Sequence, residues 1–65
     1  MTPAALRQKL GMSVARAAEE AGVARVTLRF YEASPENVRR ADKREACRAF
    51  YARLERAMQA LQAAT

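Results

Sequence analysis

The sequence predicts an all-α fold, a bundle of about five short helices, and three observations carry that prediction. Helix-forming residues dominate, and no run of Val, Ile or Thr alternates as a half-buried strand requires. Apolar segments are opened by Thr, Ser or Ser-Pro and closed by Gly, the usual punctuation of helix ends. Within those segments the apolar residues recur three and four apart, the period of one helical face.

Thr2-Pro3 opens a first helix over residues 3–10. The Thr hydroxyl accepts from an orphan amide, and Pro at the first helical position loses no needed donor. Leu6 and Leu10 share a face, and Gly11 supplies a left-handed exit. Ser13 caps a second helix running through Glu20 or Ala21, with Val14, Ala17, Ala18 and Ala21 as its inner stripe. Those side chains are small, so this helix can approach its neighbours closely. Gly22 ends it, and Val23 leads into a third helix over about 25–32, with Leu28 and Tyr31 on one face. Ser34-Pro35 marks a short fourth turn or helix reaching about Arg40.

Asp42, with Glu45 three residues later, matches a capping box for the last and longest helix, about 43–63. Cys47, Phe50, Leu54, Ala57 and Leu61 repeat along it, flanked by Tyr51 and Met58. At ~1.5 Å per residue such a helix reaches about 30 Å, longer than so small a core needs. Its apolar face is therefore expected to extend into a partner subunit, with Phe50, Tyr51, Leu54, Met58 and Leu61 as the contact candidates. Residues 62–65 are expected to add little.

Composition then limits what such a bundle can do. Sixty-five residues allow one domain, 1–65, and 16 of the 33 hydrophobic residues are alanine, which leaves 17 larger ones. A chain this short buries only ~60% of its unfolded surface, too little to wall off a deep catalytic cavity. The absence of His removes the commonest acid/base residue and metal ligand. One Cys makes neither an internal disulfide nor a Cys-rich zinc site. Neither an enzyme nor a bound metal, cofactor or small-molecule ligand is expected. Cys47 fits a reducing cytoplasm. No apolar run approaches the ~18–20 residues of a membrane span, so the protein is expected in the cytoplasm and off the membrane.

Twelve basic residues against seven acidic give a net charge of +5, and ten of the twelve are Arg. Arg suits phosphates and base edges because its planar fork donates in parallel. Such a chain is attracted to polyanions, nucleic acid first.

The informative stretch is SVARAAEEAGVARVTLRFYE, Ser13 to Glu32. It sets a small residue at Ala18, Gly22 four later, Val23 directly after, and Leu28 six after the Gly. This resembles the helix-turn-helix of the Cro and lambda-repressor-like (XRE) family, and the closing Tyr31-Glu32 resembles that family's helix ending. Each position has a mechanical reason. Ala18 lets the second helix cross closely, Gly22 takes the positive φ of a sharp turn, and Val23, Leu28 and Tyr31 pin the next helix to the core.

The resemblance implies a lambda-repressor-like fold over most of the chain, double-stranded DNA as partner, and transcriptional regulation. Repression of a palindromic operator by a homodimer is the default mechanism, in bacteria or their phages and plasmids. Ala24, Arg25, Val26, Arg29 and Phe30 would then meet base edges. Arg25 and Arg29 would take guanine, and Val26 a thymine methyl. Ser13, Arg16, Thr27, Arg39, Arg40, Lys43 and Arg44 would contact the DNA backbone. Two positions depart from the family pattern: Val14 stands where a backbone-bracing Gln is usual, and Ala24 where a Ser or Thr cap is usual.

Two other readings stand beside this one. Thr27 to Glu32, TLRFYE, also resembles the TLRYYE segment of MerR-type regulators, although residues 33–42 lack the Gly and strand pattern of a winged hairpin. A protein-interaction module docking through its last helix is the reading from another class.

Overall fold

Local capping chemistry accounts for where the first two helices begin. In the computed structural model, which describes residues 1–64, α1 is Pro3–Lys9, and the Thr2 hydroxyl accepts from the Ala5 amide at 3.1 Å. Thr65, the last position of the expected domain and of its weak 62–65 end, lies outside the described residues. Helix α2, Val14–Ala21, starts at Ser13, whose hydroxyl accepts from the Arg16 amide at 3.1 Å. Gly11 and Gly22 follow α1 and α2 with φ of 69° and 76°, the left-handed conformation in which a Cβ is penalised. At Gly22 this lets the chain turn sharply into α3, Arg25–Ala33, while its own amide and that of Val23 close the end of α2.

Among the described residues the bundle has four α-helices rather than about five. Residues expected to form a short fourth helix make a single 3-10 turn, Pro35–Asn37, closed by the Asn37 and Val38 amides on the Ser34 and Pro35 carbonyls. Val38 ends it by adopting an extended backbone and inserting into the core. Helix α4, Ala41–Ala63, starts two residues earlier than expected, and the Asp42–Glu45 capping box does not form. Arg40 occupies the cap position and its guanidinium holds the Asp42 carboxylate at 2.9 and 3.2 Å, while Glu45 is taken by Arg48 at 2.8 Å. Asp42 still contributes negative charge to the first turn, where the helix dipole favours it.

Every helix contributes to one core. It holds Leu6 from α1, Ala17 and Ala18 from α2, Leu28 and Tyr31 from α3, Val38, and Cys47, Phe50, Tyr51 and Leu54 from α4. Ala17 and Leu28 have no exposed surface, so α2 meets the rest of the bundle through methyl groups, as a close crossing requires. The Tyr31 and Tyr51 rings stack at 5.6 Å between centroids, and Phe50 meets Tyr51 edge-on at 5.1 Å. Such ring pairs add about 0.5–1.5 kcal/mol each beyond the area they bury.

Helix α4 supplies this core from Cys47 to Leu54 and its last turns run past it, so the molecule measures 39 Å along one axis and under 20 Å along the others. Three of the five contact candidates on α4 are thereby used internally. Phe50, Tyr51 and Leu54 are buried in the chain's own core, because the other helices cover that stretch. Met58 is half-buried and Leu61 is exposed, so these two are what the face leaves for a second copy. No helix among the described residues is long and apolar enough to cross a membrane.

Candidate nucleic-acid interface

The outward face of α3 is determined by what its other face must do. Leu28 and Tyr31 are buried and Val23 packs against the core just before the helix. At ~100° per residue, fixing those positions inward turns Arg25, Val26, Arg29 and Phe30 outward. All four are exposed, as is Ala24 at the cap. The Arg25 and Arg29 side chains make no hydrogen bond or ion pair among the described residues. Two guanidinium groups four residues apart, about 6 Å at Cβ, therefore present their donors to solvent on one helical face.

That face is anchored from beneath by a polar network the sequence reading did not single out. Arg7 of α1, only 8% exposed, donates to both carboxylate oxygens of Glu32 at 2.6 and 3.3 Å, and to the Met12 carbonyl at 2.9 Å. The Tyr51 hydroxyl of α4 donates to the same Glu32 carboxylate. One carboxylate at the end of α3 thus ties that helix to α1 and to α4, and Arg7 ties the pair to the connection before α2. The carboxylate's hydrogen bond raises the Arg7 guanidinium above its ordinary value, against the opposing cost of burial. Burial, then the bond to Glu32, pushes the Tyr51 phenol well above 10.0. No buried side-chain polar atom among the described residues lacks a partner, so the network is complete. A signal for Arg7 was present: it lies beside Leu6 and three before Leu10, on the inner face of α1.

The residues expected at the DNA backbone differ in how they are engaged. The Arg39 and Lys43 side chains make no hydrogen bond among the described residues. Arg16 pairs with Glu20 at 2.9 Å and Arg40 with Asp42 at 2.9 Å, both on open surface. Exposed pairs of this kind are worth under about 1 kcal/mol, so an incoming phosphate can replace the carboxylate. Arg44 is committed differently, donating to the Val38 carbonyl at 2.9 Å, and Ser13 is engaged as the cap of α2. Thr27 is half-buried. An open notch lined by Phe30, Glu36, Asn37 and Arg39 continues the α3 face toward the 3-10 turn.

The two departures from the expected pattern have visible consequences. Val14 packs against the core and cannot extend a polar arm outward. Ala24 gives α3 no side-chain cap, which leaves its first amides unbonded by any cap side chain. Residues 33–42 contain no strand, so the winged hairpin that follows the TLRYYE segment of MerR-type regulators is not formed there.

Comparison with known proteins agrees with this geometry. A helix-turn-helix family model matches residues 4–40, more than half of the chain, from α1 through α3 to the cap of α4. No curated protein and no solved structure matches the chain. Two helices crossing at methyl groups, joined through a left-handed Gly and presenting arginines on the second, are the working parts of that motif. The chain belongs to the XRE-type, Cro and lambda-repressor-like helix-turn-helix family of DNA-binding regulators.

Proposed function

We propose that the protein is a transcriptional repressor of the cytoplasm that occupies an inverted-repeat operator as a homodimer. Helix α3 enters the major groove, about 12 Å wide, and Arg25 and Arg29 each take a guanine through O6 and N7. Ala24, Val26 and Phe30 lie against the neighbouring base edges. Arg39 and Lys43 contact phosphates, with Arg16 and Arg40 joining them as Glu20 and Asp42 are displaced, and Ser13 and Thr27 add shorter contacts. Arg44 supports the turn before α4 and contributes its charge from there. Met58, at the edge of the core, and Leu61, on the part of α4 beyond it, meet their counterparts in the second copy. The observation that carries this reading is the unpaired Arg25–Arg29 pair on a face held from beneath by the Arg7–Glu32–Tyr51 network.

The test is binding of the chain to the DNA upstream of its own gene, followed by fluorescence anisotropy at several salt concentrations. A repressor of this kind protects two half-sites about 34–36 Å apart, centre to centre. Replacing Arg39 or Lys43 by Ala lowers the salt slope by about one unit each and weakens all sequences alike. Specific binding that survives loss of both Arg25 and Arg29 overturns the assignment of α3. Absence of DNA affinity at low salt favours a protein-interaction module instead.

A further inference from the structure

A groove of about 470 Å³ is lined by residues of α1, α3 and α4. Leu6, Tyr31, Tyr51 and Met58 give it an apolar wall, and Arg48 and Glu55 of α4 stand at its polar edge. Ligand pockets commonly hold ~300–1,000 Å³ and combine apolar walls with a few placed polar groups. Two polar groups at this groove are left open or only loosely held. Tyr31 is only 7% exposed, yet its hydroxyl makes no hydrogen bond among the described residues. That oxygen is not sealed from solvent, because among those residues no enclosed side-chain polar atom lacks a partner. It opens where Tyr31 lines the groove, near Arg48, whose charge acts on the phenol. Arg48 itself holds Glu45 at 2.8 Å on open surface, a pair weak enough for another anion to replace.

We propose that this groove binds a small apolar carboxylate, held at its acid end by Arg48 and the Tyr31 hydroxyl. The guanidinium releases Glu45 and donates to the carboxylate through its fork, and the phenol adds a further donor. The hydrocarbon body lies along Leu6, Tyr51 and Met58, where the flexible thioether adapts to its outline. An anion is what this pairing selects. A free phenol accepts or donates, but the guanidinium beside it has only donors to offer. The net charge of +5 draws small anions in the same direction. Glu55 lies seven residues further along α4, about 10 Å on, so its charge turns the acid end toward Arg48. A flat aromatic acid and a short fatty acid share this chemistry, a carboxylate on a hydrocarbon body. The inference does not rest on the proposed function, because Tyr31 is on the inner face of α3, away from Arg25 and Arg29.

The test is binding of naphthoate and of octanoate to the full chain, read by calorimetry and by the chemical shifts of backbone amides. Saturable binding is expected, with shifts centred on Tyr31, Arg48 and Met58. Naphthamide, neutral and of the same shape, should bind about tenfold more weakly than naphthoate, and so should naphthoate to Arg48→Met. Arg48→Lys keeps the charge and loses the fork, so its affinity should fall between. Tyr31→Phe should weaken naphthoate roughly fivefold. It should nevertheless melt with wild type, since the hydroxyl it removes bonds nothing within the described chain. Weaker binding at unchanged stability is a result that a merely structural tyrosine does not give.

No saturable binding of either acid up to about 10 mM overturns the proposal. Naphthamide binding as tightly as naphthoate overturns it too, leaving an apolar groove with no anion site. Unchanged affinity in both Arg48→Met and Tyr31→Phe places the acid elsewhere on this cationic chain, with the same result. If neither acid binds and Arg48→Met lowers self-association in analytical ultracentrifugation, a second copy covers the groove instead. Tighter binding of naphthoate marks the ligand as an aromatic acid, and tighter binding of octanoate as an aliphatic one. DNA enters none of these measurements, so the proposed function can fail while this inference stands.

Discussion

Arg7, inside the molecule, and Arg25 and Arg29, on its outer face, carry the same guanidinium in opposite circumstances. The first is enclosed by a carboxylate and a carbonyl, with a phenol on the same carboxylate, and nearly all its surface is gone. The other two have no partner among the described residues and stand in solvent. An arginine that serves the fold must have its donors engaged before water is excluded, whereas an exposed one leaves its donors open to solvent or an incoming ligand. The two regions are linked mechanically, because Glu32 closes the helix on which Arg25 and Arg29 stand. In the proposed function, a rigid base for α3 is what lets the two exposed side chains act as a matched pair.

Removing the inner partner should have the largest effect. Arg7→Met leaves Glu32 as a buried carboxylate without its cation, at a cost of about 3–5 kcal/mol. A chain of this size has only roughly 3–10 kcal/mol in total, so a urea melt should show it largely unfolded or close to it. A melt unchanged from wild type would erase the distinction between the two regions. Tyr51→Phe tests the same network more gently. Loss of a hydrogen bond to a charged group should lower stability by about 1.5–3 kcal/mol at neutral pH.

Tyr51 also gives the network a dependence on pH. Its phenol is raised in the folded state, so folding favours the neutral form. The associated stability is complete below the unfolded value near 10.0 and is lost as pH rises above it. Tyr31, raised by its own burial, acts with the same sign. Melting temperatures followed from neutral pH upward should fall beyond pH 10, less steeply in the Tyr51→Phe variant.

The outer arginines should respond in the reverse sense. Arg25→Ala and Arg29→Ala should each cost about 1–3 kcal/mol of specific DNA affinity, with stability within about 0.5 kcal/mol of wild type. Lys at either position keeps the charge but loses the fork, so general affinity survives better than sequence preference. The smallest effect belongs to the bare start of α3. Ala24→Ser supplies the missing cap and should raise stability by about 0.5–1 kcal/mol, measured by thermal melting.

Much of the motif was legible because it is written in local rules. Thr2 and Ser13 announce helix starts, Gly11 and Gly22 the left-handed exits, and Ala17 and Ala18 the close crossing, and each does so through its own backbone or its own volume. The outward positions of α3 came from the family resemblance, and helical period agrees by setting them away from Leu28 and Tyr31. The capping box at Asp42 and Glu45 was misleading for a physical reason: Arg40 and Arg48 offer those carboxylates full charges, which compete with backbone amides for them. The fourth helix was lost because Val38 gains more from entering the core than from another helical turn.

By itself, then, the sequence determined the all-α class, the helix-turn-helix and the face that α3 turns outward, since period and capping act within a few residues. Tertiary structure alone decided that Arg7, Glu32 and Tyr51 meet, being 25 and 19 residues apart in the pairs they form. It also decided that Phe50, Tyr51 and Leu54 serve this chain's core, leaving Met58 and Leu61 as the outer part of that face. Which polar groups become partners, and which apolar ones stay exposed, depends on how far each helix covers its neighbours, and that is a property of the whole packed bundle.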